Sequence, residues 1–455
     1  MIKKGDIIEI ELVDMANGGD CVGRYDGMAV FIPAGVPGEK VKAKIIEKKK
    51  NYARGELLEI MEEEDNRISP QCCVFGACGG CQLQHMDYQS QLKYKRKMVV
   101  DLLERIGKID YADVNDVIGA DYPFGYRNKA QFPLTEDEEG NIVTGFYRKG
   151  THQVVVHNNC HIQHPLINRI IEKTLKVLNQ YKLSVYNELV HKGLLRHLVV
   201  RVGVCTNQAL LIIVIKERHF QLAEEISDKI FNEVPELVGV LYNINPDRTN
   251  VIMGKETRLV KGNDRYIDYI GPVKYAISPH SFFQVNSLQT KKLYDVILDF
   301  ASFTEDDLVF DAYCGIGSIS LYIANRVMKV VGVEIVKEAV RDAEKNAELN
   351  HISNSQFIVG SVEQELPGLL KSGDKPDIII FDPPRKGIDE KAIDAVLTTG
   401  IEKIIYVSCN PATLARDLEK FDKCYRVEKV QPVDMFPNTT HVETVVLLKK
   451  GRLKR

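Results

Sequence analysis

A multidomain chain that ends in a doubly wound, Rossmann-like α/β sheet is predicted by three observations. First, from about residue 278 short apolar strands over 308–311, 330–334, 378–382 and 403–407 alternate with helical patterns such as 337–349. That alternation argues for a parallel sheet with ligands at the strand carboxyl ends. Second, residues 1–59 read as short strands broken by glycine turns, the pattern of a small OB-like β-barrel. Third, residues 60–275 mix strands and helices behind a cysteine cluster, which predicts an α+β central domain. The expected domains are therefore 1–59, 60–275 and 276–455.

The leading segment carries its own signals. Residues 7–12 alternate imperfectly, and 41–46 alternate apolar with basic side chains. Asn17-Gly18-Gly19 and Tyr25-Asp26-Gly27 mark turns between them. A charged linker, Glu62-Glu63-Glu64-Asp65-Asn66, follows, then the cysteines and a helical stretch from about 88 to 107. In the middle, 198–204 and 209–215 are apolar runs joined by Thr206-Asn207-Gln208, which predicts a hairpin of buried strands.

Bulk composition narrows the class. Of the 455 residues 44% are hydrophobic and 27% charged, ordinary for a globular chain able to bury several cores. A net charge of −3 excludes a uniformly basic nucleic-acid binder and leaves local patches, at 93–97 and in the tail 449–455. The first residues lack the apolar core of a signal peptide. No run long enough to span a membrane, about 18 uncharged apolar residues, is present. A cytoplasmic protein without a membrane partner is expected, and its ten cysteines are expected as thiols, metal ligands or catalytic groups rather than disulfides.

Cys72, Cys78 and Cys81 cluster, and Cys160 lies far downstream. Structural zinc usually takes two close cysteine pairs, whereas three clustered ligands and a remote fourth suit an iron–sulfur cluster. Spacing alone leaves both open. Cys73 is surplus to either set, and Cys21, Cys205, Cys314 and Cys424 read as ordinary small residues.

Asp311-x-x-Cys314-Gly315-x-Gly317 follows a strand and opens a helix, and Glu334 ends the next strand, where an acid grips ribose hydroxyls. Ser320 replaces the third glycine of a dinucleotide fingerprint, so no pyrophosphate cradle is expected. That favours S-adenosylmethionine over NAD. Asp382-Pro383-Pro384-Arg385 ends a later strand in a stiff loop. Arg385 occupies the place of the aromatic residue that stacks a base in exocyclic-amine methylases, which argues against amine methylation.

Cys409 ends the strand 403–407 before Asn410-Pro411. A thiol beside a methyl donor suits methylation of a pyrimidine carbon. Thiolate addition to carbon 6 of uracil makes carbon 5 nucleophilic, and a base must then remove the carbon 5 proton. Glu443, a carboxylate entering an apolar strand, is the candidate base, with Asp434 as a weaker one.

Ser408-Cys409-Asn410-Pro411, Asp382-Pro383-Pro384-Arg385-Lys386-Gly387, His441-Val442-Glu443 and Ser281-Phe282-Phe283-Gln284-Val285-Asn286 together resemble the RNA uracil-5 methyltransferase family. The first segment is similar to its TRAM domain. The resemblance implies Cys409 as nucleophile and Glu443 as proton acceptor. It implies that Gln284, Tyr313, Glu334 and Asp382 contact S-adenosylmethionine. Residues 78–85 are similar to the family's cluster segment, which favours a [4Fe-4S] cluster on Cys72, Cys78, Cys81 and Cys160 over zinc. The expected substrate is uridine in 23S (large-subunit) ribosomal RNA, before or during assembly, and the expected state is a monomer. A transfer RNA T-loop enzyme is the same-class alternative; transfer RNA members tend to lack the leading barrel and cluster. An RNA-binding iron–sulfur assembly factor without catalysis is the alternative of another class. The target uridine must be flipped out of its stack, and Tyr126, Arg127, Asn128, Lys129 and Phe132 offer aromatic and basic side chains for that.

Overall fold

The computed structural model describes residues 2–371 and 375–451. Its leading six-stranded sheet runs Ile7–Glu11, Lys40–Lys48, Tyr52–Glu62, Met28–Ile32, Cys21–Tyr25, Asp14–Met15. In Lys40–Lys48 the apolar Val41, Ala43 and Ile45 are fully buried while Lys44 is exposed, so period-2 alternation fills the inside of the sheet. The sheet curls until its ends meet: Val13 N donates to Val22 O at 2.9 Å. Gly23 permits this closure, because a Cβ there would stand 2.2 Å from the Glu11 carbonyl oxygen.

Helix Tyr88–Arg105 carries the barrel onto the C-terminal domain. Asp87 caps it, accepting from Ser90 N at 3.0 Å. Its buried Tyr94, Met98, Val99 and Leu103 belong to one core with Ile10 and Val41 of the barrel and with Leu414, Leu418 and Phe421 of helix Pro411–Phe421. The basic run 93–97 is largely consumed here rather than presented to a polyanion. Lys95 is fully buried and donates to Asp434 Oδ1 at 2.6 Å, Arg96 Nε donates to Val114 O at 3.0 Å, and Lys97 bridges Asp14 and Asp101. Of the basic tail, Lys449 and Lys450 end the last strand, and residues 452–455 lie outside the described residues.

The central sheet has seven strands, in the order Glu256–Gly262, Leu237–Ile244, Ala209–Ile215, Leu195–Val202, Lys129–Glu136, Ile142–Tyr147, Val154–Val156. The expected hairpin is present, with Val202 opposite Ala209. Every residue of its two strands is buried. The reason is cover on both faces. Leu198, Val200, Leu211 and Ile213 pack on helices Pro165–Leu178 and Ala223–Glu233. Val199, Leu210 and Ile212 pack on hairpin Tyr266–Ile270/Val273–Ile277 and helix Ser287–Ala301.

The C-terminal sheet runs Ser355–Val359, Lys329–Glu334, Leu308–Ala312, Ile378–Phe381, Lys403–Ser408, Glu443–Lys450, Tyr425–Val433. The first five strands are parallel, as the alternation predicts, and the last two are antiparallel additions. The helix expected over 337–349 is Lys337–Leu349.

Candidate active site

The carboxyl ends of three parallel strands and the amino end of their antiparallel neighbour converge. Leu308–Ala312 leads to Tyr313, Ile378–Phe381 to Asp382, Lys403–Ser408 to Cys409, and their antiparallel neighbour begins at Glu443. Such an edge is where open α/β sheets bind ligands. Ser408 pairs with Thr444, so one step further along each antiparallel chain puts Cys409 alongside Glu443. The two candidate reacting groups, 34 positions apart in sequence, are thereby brought together.

Cys409 is half-buried and immediately precedes helix Pro411–Phe421. Asn410 caps that helix, accepting from Ala412 N at 3.1 Å, and Pro411 starts it. The turn is therefore short and fixed, with the thiol at a helix N-terminus, a place that favours thiolate. Opposing effects are larger. Burial first, then the Glu443 and Asp382 carboxyls, push the Cys409 thiol up to about 11, against the Arg385 guanidinium, which lowers it.

Glu443 is 3% exposed. Burial, then Asp382, pushes its carboxyl up to about 8, with Arg385 again opposing. Burial and Asp311 push Asp382 up to about 7. The edge thus holds carboxyls whose protons are exchangeable near neutrality, the condition for acid–base work.

The glycine loop forms the adjoining wall. Tyr313, Gly315 and Gly317 all adopt positive φ, of 67°, 56° and 75°. A Cβ at Gly317 would come within 2.9 Å of the Phe357 ring. For Tyr313 the left-handed backbone is a local strain of the kind kept at functional sites. Glu334 accepts from Gly315 N at 3.2 Å and Val336 N at 2.9 Å, which fixes its carboxylate at the loop. Asp311 is fully buried, accepts a short bond from Ser320 Oγ and leaves Oδ1 unpartnered.

Gln284 lies in a segment outside the sheet. Its carbonyl and the Ser287 hydroxyl accept from Asn128 Nδ2 at 2.9 and 2.8 Å, and Asn286 Nδ2 donates to Met435 O at 3.2 Å. The segment is so tied to the start of the central sheet and to the turn before Glu443. Asn128 is 1% exposed and acts as this tie, not as a surface donor.

Three expectations are corrected. Asp434 is no base: it is fully buried and occupied by Lys95 Nζ at 2.6 Å and Tyr88 OH at 2.9 Å. Phe132 is fully buried against Phe146, and Tyr126 is 7% exposed with its hydroxyl on Pro437 O, so neither offers a ring to a flipped base. Phe282, in the same motif and two positions before Gln284, is 68% exposed, which nothing in the sequence signals. Tyr294, buried with its hydroxyl 2.8 Å from Ser318 Oγ, stands in the field of Asp382, Asp311 and Glu443 and likewise gave no signal.

The four cysteines singled out by spacing meet. Cys72, Cys78, Cys81 and Cys160 line one cavity of about 360 Å³ in the central domain. Burial pushes the Cys81 thiol up to about 12 and raises Cys78 and Cys160 as well. Arg127 Nε, His157 Nε2 and Gln163 Oε1 line the same cavity, buried and without hydrogen-bond partners. Lys129 also lines it, lowered to about 8 by burial and by Arg201 and Arg127. Among the described residues no three His, Cys, Asp or Glu side chains stand close enough to hold a single metal ion. Zinc would need its ligands about 2.3 Å from one point. The lining thus combines four thiols with Arg127 and Lys129.

Comparison with known proteins agrees with this geometry. A family model described as tRNA (uracil-5-)-methyltransferase matches residues 87–451, and a TRAM domain model matches 3–58. The chain is 43% identical over 449 residues to an uncharacterized RNA methyltransferase of Halalkalibacterium halodurans, covering 98% of each chain. It is 44% identical over 450 residues to an uncharacterized RNA methyltransferase of Caldanaerobacter subterraneus, covering 99% of each. Among solved structures it resembles the Pyrococcus abyssi tRNA (uracil-54, C5)-methyltransferase in complex with S-adenosyl-L-homocysteine, with a TM-score of 0.79 and 26% identity, over 97% of this chain and 100% of that one. A likeness of that extent includes the leading barrel, so the barrel does not by itself separate ribosomal from transfer RNA enzymes.

Proposed function

The chain belongs to the RNA (uracil-5-)-methyltransferase family, and on that premise we propose that it methylates carbon 5 of a uridine in RNA through a transient bond between Cys409 and carbon 6. The observation that supports this most directly is the register that sets Cys409 alongside Glu443 at the edge carrying Asp382.

S-adenosylmethionine supplies an electrophilic methyl on a sulfonium. Gln284, Tyr313, Glu334 and Asp382 hold it, with Glu334 placed for ribose hydroxyls. The Cys409 thiolate adds to carbon 6, and the electron pair moves toward carbon 5 and the carbonyl. Carbon 5 takes the methyl group. Glu443 then accepts the carbon 5 proton, the carbon 5–carbon 6 double bond re-forms and the thiolate leaves. Phe282, exposed beside the donor-side Gln284, offers the ring that a flipped base needs.

The reading extends to a [4Fe-4S] cluster held by Cys72, Cys78, Cys81 and Cys160. Such a cluster supplies a rigid cross-link between the 72–81 loop and the segment at 160; the methyl transfer requires no electron from it.

For the polymer, large-subunit ribosomal RNA is proposed from the four-cysteine cavity. The second reading, a transfer RNA T-loop uridine, is favoured by the likeness to the Pyrococcus abyssi enzyme. Tritiated methyl transfer to unmodified ribosomal and transfer RNA transcripts, with mass-spectrometric mapping of the product, separates them. Incorporation into 23S transcript alone is expected; incorporation into transfer RNA alone reverses the assignment. A 5-fluorouridine transcript that fails to trap the wild-type enzyme through Cys409 removes the covalent reading.

A further inference from the structure

Building on the RNA reading above, we propose that a trough in the central domain binds a second, unmodified nucleotide of the same RNA strand by stacking and by its base edge. Two adjoining cavities, of about 620 and about 680 Å³, share Tyr147, His152, His197 and Asn250 and form this trough.

Its floor is polar, buried and rigid. Arg196 is 4% exposed; Nη1 donates to the carbonyls of Asn245 at 2.6 Å and Asp247 at 2.8 Å, and the guanidinium lies 4.3 Å from the Tyr186 ring centre. Its Nε is buried without a partner. His197 is 6% exposed and lines both cavities, and its Nδ1 is also buried without a partner. Burial and Arg196 hold the His197 ring well on the neutral side, down to about 4. A neutral imidazole has one donor and one acceptor nitrogen, the complement of a base edge rather than of a phosphate.

The wall is aromatic. Tyr147 and His152 stack with ring centres 5.4 Å apart and 29° between planes. Glu188, the carboxylate of the lining, is already engaged with His152 Nδ1 at 2.6 Å. At the mouth, Leu189 is 91% exposed beside the exposed Arg248. Planar side chains for stacking, an apolar lip and cations at the rim are the means by which proteins hold single-stranded nucleic acid.

Position ties the trough to the segment that bears Gln284. His197 and Val202 stand on one strand, and Val202 N donates to the carbonyl of Asn128, the residue that also holds Gln284. Five residues at about 3.3 Å each separate the ends by roughly 16 Å. A stacked strand at about 3.4 Å per nucleotide bridges that distance with about five nucleotides.

The test compares two probes with wild type and with two variants, Leu189→Ser/Arg248→Ala at the exposed rim and Tyr147→Ala in the wall. The first probe is the long transcript that the wild type methylates; the second is a five-nucleotide oligoribonucleotide centred on the target uridine, too short to reach the trough. The variants are expected to raise KM for the transcript by at least about fivefold, the scale of one lost base stack, with kcat at saturating RNA unchanged and with the oligonucleotide unaffected. Unchanged transcript KM in both variants overturns the trough, as does an equal loss on both probes. Trapping of the wild type by a 5-fluorouridine form of the short oligonucleotide tests the catalytic reading separately, because that probe does not touch the trough.

Discussion

Asn410 Nδ2 donates to the carbonyl oxygen of Arg385 at 3.2 Å, binding the thiol's turn to the loop after the two prolines. Thr413 Oγ1 donates to the same oxygen at 3.2 Å. The two loops that bear Cys409 and Asp382 are therefore joined through the Arg385 backbone, and the Arg385 charge acts on both Cys409 and Glu443.

Arg385→Ala is expected to make the thiol less acidic. The guanidinium lowers the Cys409 pKa, so its loss adds to the rise already produced by burial, Glu443 and Asp382. Well below that pKa the thiolate fraction falls about tenfold for each unit of increase. Peptide-resolved alkylation of Cys409 by iodoacetamide between pH 7 and 10 should be slower than in wild type, with the profile displaced to higher pH. A displacement to lower pH, or none, would show that Arg385 does not act on the thiol.

Glu443→Gln should separate the two halves of the reaction. Methyl transfer to carbon 5 needs only the thiolate and the donor, whereas thiol release needs the proton acceptor. RNA bound through Cys409 should therefore accumulate on denaturing gels while turnover falls by about 10² or more. Normal turnover with no retained RNA removes Glu443 from the role.

The wild-type pH profile follows from the same group. Burial raises the Glu443 carboxyl to about 8, so below that pH most of it is protonated and unable to accept a proton. The thiol, raised to about 11, is likewise less available at low pH. Both signs agree: kcat for turnover to released methylated RNA should climb from pH 6 to about 8 and rise less steeply beyond. A profile flat over that range contradicts the elevated pKa of Glu443.

Much of this was legible in the chain because local chemistry carried it. The parallel strands showed as apolar runs, Glu334 and Cys409 sit at strand ends that the runs define, and the thiols of Cys72, Cys78, Cys81 and Cys160 do line one cavity. What misled was pairing across long sequence separations. Lys95 looks like part of a solvated basic face, and only Asp434, 339 positions away, makes it a core residue. Asp434 looks like a second base for the same reason, since nothing near it in sequence announces its cation. Phe132 and Tyr126 read as a ring beside basic side chains, yet the packing of the sheet turns both inward.

That buried pair has a measurable consequence. Lys95 and Asp434 are both fully buried, and Lys95 Nζ donates also to Phe436 O at 3.1 Å, so the helix Tyr88–Arg105 clamps the turn that precedes Glu443. Removing one partner leaves the other charge in a dry interior, at a cost of about 3–5 kcal/mol. Lys95→Ala should lower the urea midpoint accordingly, while Lys95→Met with Asp434→Leu should regain a good part of it. A single variant as stable as wild type would mean the pair is neutralised or solvated in the folded chain.

The cysteine cavity gives the last expectation, and it discriminates between metals. Four thiols line that cavity, and their spacing in the chain, three close together and one remote, is what favours a cube of iron and sulfide over a single zinc ion. The unoxidised thiols are also in an unfavourable state: burial raises Cys78, Cys81 and Cys160 above the ordinary thiol range, and Arg127 and Lys129 add positive charge to the same space. A cluster carrying net negative charge relieves both. Anaerobically purified protein should therefore contain about four iron and four acid-labile sulfide per chain, with a broad visible absorbance. Cys81→Ala should lose the iron, and Cys73→Ala, whose thiol is exposed and outside the cavity lining, should keep it. Stoichiometric zinc without sulfide would overturn the assignment, because the same four sulfurs would then have to close around one atom.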